Sequence, residues 1–126
     1  MIITSTPLHP SVLLVGKPGR GRDALAELVR AQAGPILLGC ADSGLLAMKA
    51  AREKQPRAVV VTSGLPDLEV VELVRQIKNN WPNVALLVLS ERSEVQREAL
   101  LAGADFVMPN GAPWGQLLPI VQRMVA

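Results

Sequence analysis

Arg57-Ala58-Val59-Val60-Val61-Thr62-Ser63-Gly64-Leu65-Pro66-Asp67 is the stretch whose reading decides the fold. Its apolar run, Ala58 to Val61, is too short for a helix and rich in β-branched side chains, the pattern of a strand buried on both faces. The run stops at Thr62, and a turn built on Gly64 and Pro66 leads into a helical pattern. In an open parallel sheet, the residue just past the carboxyl end of a strand faces the crevice where ligands bind. Thr62 holds that position. It carries no charge, is a poor metal ligand and has no base beside it in sequence.

Working back towards the amino terminus, Pro56 closes a helix that runs through Leu45, Leu46, Ala47, Ala50 and Ala51 and is capped by Asp42 or Ser43. Ile36-Leu37-Leu38 is a second strand, preceded by Gly34-Pro35 and a helix over residues 24–33 with Leu25, Leu28 and Val29 at helical spacing. Val12-Leu13-Leu14-Val15 is the first strand. Residues 1–10, with Pro7 and Pro10, read as an extended arm, and residues 11–126 as one domain.

Working forward, a helix is expected over 68–79, with Val70, Val71, Val74 and Ile77 on its apolar side. Val84 to Leu89 forms a fourth strand ending at Ser90. Ser93 can cap a helix through Val95, Ala99, Leu100 and Leu101 that ends at Gly103. Phe106-Val107-Met108 is a short fifth strand, and the last helix carries Leu117, Leu118, Val121, Met124 and Val125. Because proline breaks a helix interior, that helix is expected to start late, with Pro119 in its first turn. Five strands alternating with five helices, joined by right-handed crossovers, give a doubly wound parallel α/β/α sandwich of flavodoxin-like (βα)5 type. Strand order 2-1-3-4-5 then brings Gly16, Lys17 and Thr62 to one switch point.

The totals exclude several functions. The chain has 126 residues and a formal charge of +2, with its basic residues scattered, so composition gives no argument for direct nucleic-acid contact. A single cysteine, Cys40, rules out an internal disulfide and fits a reducing, cytoplasmic setting. No apolar run is long enough to cross a bilayer, and no signal-peptide pattern opens the chain.

Gly64-Leu65-Pro66-Asp67 after the third strand, Leu89-Ser90 closing the fourth and Ala102-Gly103-Ala104-Asp105 before the fifth occur in an order and spacing that resemble the receiver domain of bacterial two-component response regulators, over residues 11–126. The resemblance implies an aspartate that accepts a phosphoryl group from a histidine kinase, two acidic magnesium ligands after the first strand, a Thr or Ser ending the fourth strand and a lysine ending the fifth. Carried onto this chain, the acidic pair falls on Gly16 and Lys17 and the phosphoacceptor on Thr62. The lysine position falls on Asn110, or on Pro109 with a one-residue gap, and the switch aromatic on Val107 or Phe106. Of the set only Ser90 is kept, and the segment from Ser90 to Gly103 is about two residues shorter than is usual in the family. Magnesium needs hard oxygen ligands, and an ammonium at Lys17 would repel it. The expectation is therefore a pseudo-receiver: not an enzyme, without cofactor or metal, and regulated by protein contacts. Regulators of this kind often continue into an output domain, and Ala126 falls where such a linker would begin.

The Gly16-Lys17-Pro18-Gly19-Arg20-Gly21-Arg22 loop admits two roles. One is an anion or nucleotide site built from backbone amides, the helix dipole, Lys17, Arg20 and Arg22, with Gly19 and Gly21 allowing close approach. The other is a tight turn with solvated cations. Thr62 and Ser63 lack a base, so a strand-capping role is expected. Cys40 is expected to be a buried small hydrophobe, and Asp23 a first-turn acid favoured by the dipole. His9 reads as solvated. In receivers the face made by the fourth helix, fifth strand and fifth helix is the usual site of dimerisation. The resemblance thus implies a homodimer or protein partner there, with Val95, Val107 and Trp114 as contact candidates and packing as the alternative for Trp114. Trp81 is expected to cover the bottom of the sheet.

Overall fold

The computed structural model describes residues 10–126 apart from residues 33 and 63, and only the backbone of residues 67 and 68. The expected amino-terminal arm and His9 lie outside the described residues. Ten elements follow in strict alternation: β1 (Ser11–Val15), α1 (Arg20–Arg30), β2 (Ile36–Ala41), α2 (Gly44–Lys54), β3 (Ala58–Val61), α3 (Asp67–Asn80), β4 (Ala85–Leu89), α4 (Ser93–Ala102), β5 (Phe106–Met108) and α5 (Trp114–Val125). All four strand pairings are parallel and the order is β2-β1-β3-β4-β5, as the alternation dictated.

Side chains alternate across each strand, so the sheet feeds two cores. Leu13, Val15, Val59, Val61, Leu86 and Val88 face Ala47 of α2, Val74 and Ile77 of α3 and Val95 and Ala99 of α4. Val12, Leu14, Val60 and Leu87 face Leu25 and Val29 of α1 and Val121 and Met124 of α5. Leu13 and Leu14 are fully buried, and truncating either to Ala would cost about 2–5 kcal/mol.

Several local expectations are corrected. α1 begins at Arg20, because Gly19 is extended and its carbonyl accepts the Asp23 N–H at 2.9 Å; Arg20, Gly21 and Arg22 of the supposed basic loop are therefore helix. Cys40 is exposed rather than buried. It lies on the edge strand β2, where the register shifts between Val12 and Leu13 and Gly39 takes φ +147°. Ser43, not Asp42, caps α2, its Oγ accepting the Leu46 N–H at 3.2 Å. That helix buries its small residues, Ala47 and Ala51, and leaves Leu45 and Leu46 exposed. Ser93 is the first residue of α4 rather than its cap; Ser90 Oγ instead accepts the Arg92 N–H at 3.1 Å. At 10 residues α4 is the shortest helix, as the short Ser90–Gly103 spacing implied, and Gly103 closes it in the left-handed conformation. Pro119 sits well inside α5 rather than in its first turn, because the helix starts directly after Pro113.

Candidate functional site

β1 and β3 pair with Val15 opposite Val61, so the chain leaves both strands side by side and the crevice opens between Gly16 and Thr62. Thr62 is buried. Its backbone N–H donates to the Val15 carbonyl at 2.7 Å and its hydroxyl donates to the same oxygen at 3.1 Å. The hydroxyl proton is thus engaged by backbone, which is the strand-capping role expected. Lys17 lies over the turn that follows β3: a Cβ placed on Gly64 would come within 2.7 Å of the Lys17 Cβ. Gly64 itself has φ +102°. Gly16, Lys17 and the Thr62 turn therefore do meet.

The basic segment does not gather into one cation cluster. Arg22 donates to the Gly16 carbonyl at 3.0 Å and forms an ion pair with Asp42, stapling the loop after β1 to the loop after β2. The hydrogen bond to Asp42 raises the Arg22 pKa and holds its charge in place. The Gly16 N–H donates to the Ala41 carbonyl at 2.9 Å, so it too is used. Lys17, Arg20, Gly19 and Gly21 are exposed, with open space over both glycines. Asp23 sits exposed in the first turn of α1, where an acid favours the dipole. Of the three cations, Lys17 and Arg20 remain open to solvent.

Beyond Thr62 the crevice is a pocket of about 170 Å³. Ala24, Leu25 and Leu28 of α1 form one wall, and Thr62 and Leu89 the floor. Asn110, Trp114 and Leu117 form the other wall. Trp114, a contact candidate with packing as the alternative, packs on the α1–α5 core and lines this crevice, with its Nε1 buried and without a hydrogen-bond partner among the described residues. Val95 is buried under α4 and cannot make an outward contact. Val107 is half-buried against the same core as Val95, while Phe106 packs beneath α5 with the Arg123 guanidinium 5.9 Å from its ring centroid. The apolar side chains α4 presents outward are Leu100 and Leu101, the latter 82% exposed. Trp81 packs against the α2–α4 core at the amino-terminal end of the sheet, as expected.

Magnesium does not fit these residues. Among the described residues no acidic side chain lines the pocket and no three His, Cys, Asp or Glu side chains group as a metal site. Thr62, its hydroxyl proton held by the Val15 carbonyl, has no base among the described residues around it to make it a nucleophile.

No family model matches the chain. The transcriptional activator protein ExaE of Pseudomonas putida is 31% identical over 88 residues, which is 68% of this chain and 41% of that relative, so the chain spans under half of its length. The signal receiver domain of NarL from Mycobacterium tuberculosis superposes with a TM-score of 0.83 at 13% identity, over 94% of this chain and 98% of that one. A LuxR-family two-component response regulator from Aurantimonas sp. SI85-9A1 gives 0.82 at 20% identity, covering 91% and 84%. The response regulator domain of Thermotoga maritima CheB gives 0.79 at 21% identity, covering 91% and 95%. The fold is that of response-regulator receivers.

Proposed function

We propose that this chain is an atypical receiver domain that signals through protein contacts and is not phosphorylated. The observation that carries the proposal is Thr62. It stands where the strand next to β1 ends, buried, with its hydroxyl committed to Val15, and with Gly16 and Lys17 where magnesium ligands would be needed. Phosphoryl transfer is catalysed almost wholly by positioning and charge neutralisation. Among the described residues no carboxylate lines the pocket beyond Thr62, so the metal that would neutralise the phosphoryl charge has no ligands there. Incubation with acetyl phosphate and magnesium, followed by intact mass, is expected to show the unmodified chain; a gain of one phosphoryl group would overturn the proposal.

The contact surface assigned here is the α4–β5–α5 face, with a second copy or a protein partner as occupant. Leu100 and Leu101 offer it an apolar centre, rimmed by exposed Glu94, Arg97 and Glu98. Sedimentation across a concentration series should show self-association that Leu101→Glu weakens. An unchanged monomer in both would remove the second copy and leave a different protein as occupant. The anion-sensor alternative is not favoured, because Arg22 is held by Asp42 and Gly16.

A further inference from the structure

α2, α3 and α4 lie side by side on one face of the sheet, with α3 in the middle and touching both neighbours. On one side of α3 the layer is hollow. A groove of about 420 Å³ runs between α2 and α3, with Leu45, Met48 and Arg52 on one wall and Glu69, Glu72, Leu73 and Gln76 on the other. Leu73 is buried and Met48 half-buried, so the deepest part of the groove is apolar. On the other side of α3 the layer is raised, because Leu100 and Leu101 of α4 stand exposed. Leu45 in the groove and Leu101 on α4 are each 82% exposed.

Single surface leucines need no explanation. A hollow and a ridge of the same apolar character on one helix layer are different, because each can cover the other in a second copy. A two-fold axis lying over α3 exchanges the two halves of the layer. It seats α4 of each copy in the α2–α3 groove of its partner and closes the pair with two identical contacts, so no open polymer results. Charge agrees with this arrangement: exposed Arg97 of α4 has Glu72 to meet on the groove wall, and exposed Glu98 has Arg52. Glu72 also pairs with Arg75, but an exposed pair of that kind is weak enough to be shared. Resting on the reading of α4 as a contact surface, we infer that the chain forms a two-fold pair in which Leu100 and Leu101 of one copy enter the α2–α3 groove of the other. One seated helix buries little, whereas specific interfaces bury ~1,200–2,000 Å² in total; the two-fold supplies the contact twice. Pairing then needs two different surfaces on every copy, the ridge and the groove.

Leu101→Glu spoils the ridge and Leu45→Lys the groove. Both positions are exposed, so both variants should fold and melt like the wild-type chain. In sedimentation across a concentration series, each variant alone is expected to associate about tenfold or more weakly than the wild-type chain. Mixed in equal amounts they are expected to pair again, because one contact is intact and the other joins a carboxylate to an ammonium. A symmetric α4-to-α4 contact would give no such recovery, and Leu45→Lys would leave it unchanged. Leu45→Lys associating as tightly as the wild-type chain, or no recovery in the mixture, would overturn the inference while leaving α4 as a contact surface. A wild-type chain that stays monomeric would remove the second copy from both readings. Cys40, the single cysteine, is exposed and lies beside α2, so a spin label there tests the same pairing without altering the ridge or the groove. Mixed with an isotope-labelled Cys40→Ser chain, it is expected to broaden the amide signals of Leu100 and Leu101. Sharp α4 signals in a chain that does associate would also overturn the inference.

Discussion

The hydroxyl of Thr62 donates to the carbonyl of Val15 at 3.1 Å, the same oxygen that receives the Thr62 N–H at 2.7 Å. One carbonyl thus closes the end of the β1–β3 ladder twice, and the side chain at the head of the crevice serves structure. Thr62→Val keeps the shape and the backbone bond and removes only the hydroxyl. It should lower stability by about 0.5–1.5 kcal/mol in urea denaturation. Thr62→Asp should still gain no phosphoryl group from acetyl phosphate and magnesium, because the carboxylate alone does not restore the ligands absent at Gly16 and Lys17.

Gly64 and Lys17 are coupled by contact. Gly64→Ala meets two obstacles, the left-handed φ of +102° and a Cβ that would lie 2.7 Å from the Lys17 Cβ and 2.8 Å from its Cγ. Those are stem atoms and cannot swing away as a flexible tip could. The expected loss is about 1–3 kcal/mol for the backbone alone, with the clash added to it. Lys17→Gly removes the clash but not the strain, so the double variant should recover part of the loss. A double-mutant cycle by chemical denaturation measures that coupling, and strict additivity would show that the contact contributes nothing.

The Ala102–Asp105 stretch has a physical explanation in the fold. Gly103 ends α4 in a conformation that disfavours a side chain, and Asp105 then reaches across to β4. Asp105 Oδ2 accepts the Leu86 N–H at 2.8 Å and pairs with Lys78 Nζ at 3.0 Å; Lys78 also donates to the Val84 carbonyl at 2.8 Å. Asp105→Asn keeps an acceptor for Leu86 and loses only a partly exposed ion pair, so it should cost less than about 1 kcal/mol. Asp105→Ala removes the acceptor as well and should cost more, about 1–3 kcal/mol. If the two variants melt alike, the bond to Leu86 is not what Asp105 contributes.

Much of this was written plainly in the chain. β3 and β5 lie where their apolar runs place them, and the alternation of runs led directly to the strand order. Thr62, Gly16 and Lys17 were also expected at one crevice, because the topology alone puts them there. Side-chain partnerships were not legible. Nothing in local sequence ties Arg22 to Asp42, or Glu69 to the Gly44 N–H at 2.7 Å, since these contacts cross between separate βα units. The apolar residues read along α2 and α4 do not all face the sheet: Ala47, Ala51, Val95 and Ala99 cover it, while Leu45, Leu46, Leu100 and Leu101 are exposed. Small residues let α2 and α4 lie close to the sheet and turn the leucines outward. The start of α5 was read from Pro119 whereas Pro113 sets it, so Trp114 opens the helix.

That proline gives the last prediction. Pro119 is the sixth residue of α5, where a helix would ordinarily form an N–H bond to the carbonyl of Gly115, four residues back. An interior proline costs up to about 3 kcal/mol through the missing bond and the clash of its ring with that carbonyl. Here Gly115 and Pro119 are both exposed, so water can reach the carbonyl and part of the cost is relieved. Proline also restricts the unfolded chain, which offsets roughly 0.4–1 kcal/mol. Pro119→Ala restores the donor at an exposed position and should leave a net gain of about 1 kcal/mol, read as a higher urea midpoint with an unchanged slope. A lower midpoint would show that the ring at Pro119 contributes more to the folded helix than its missing hydrogen bond removes.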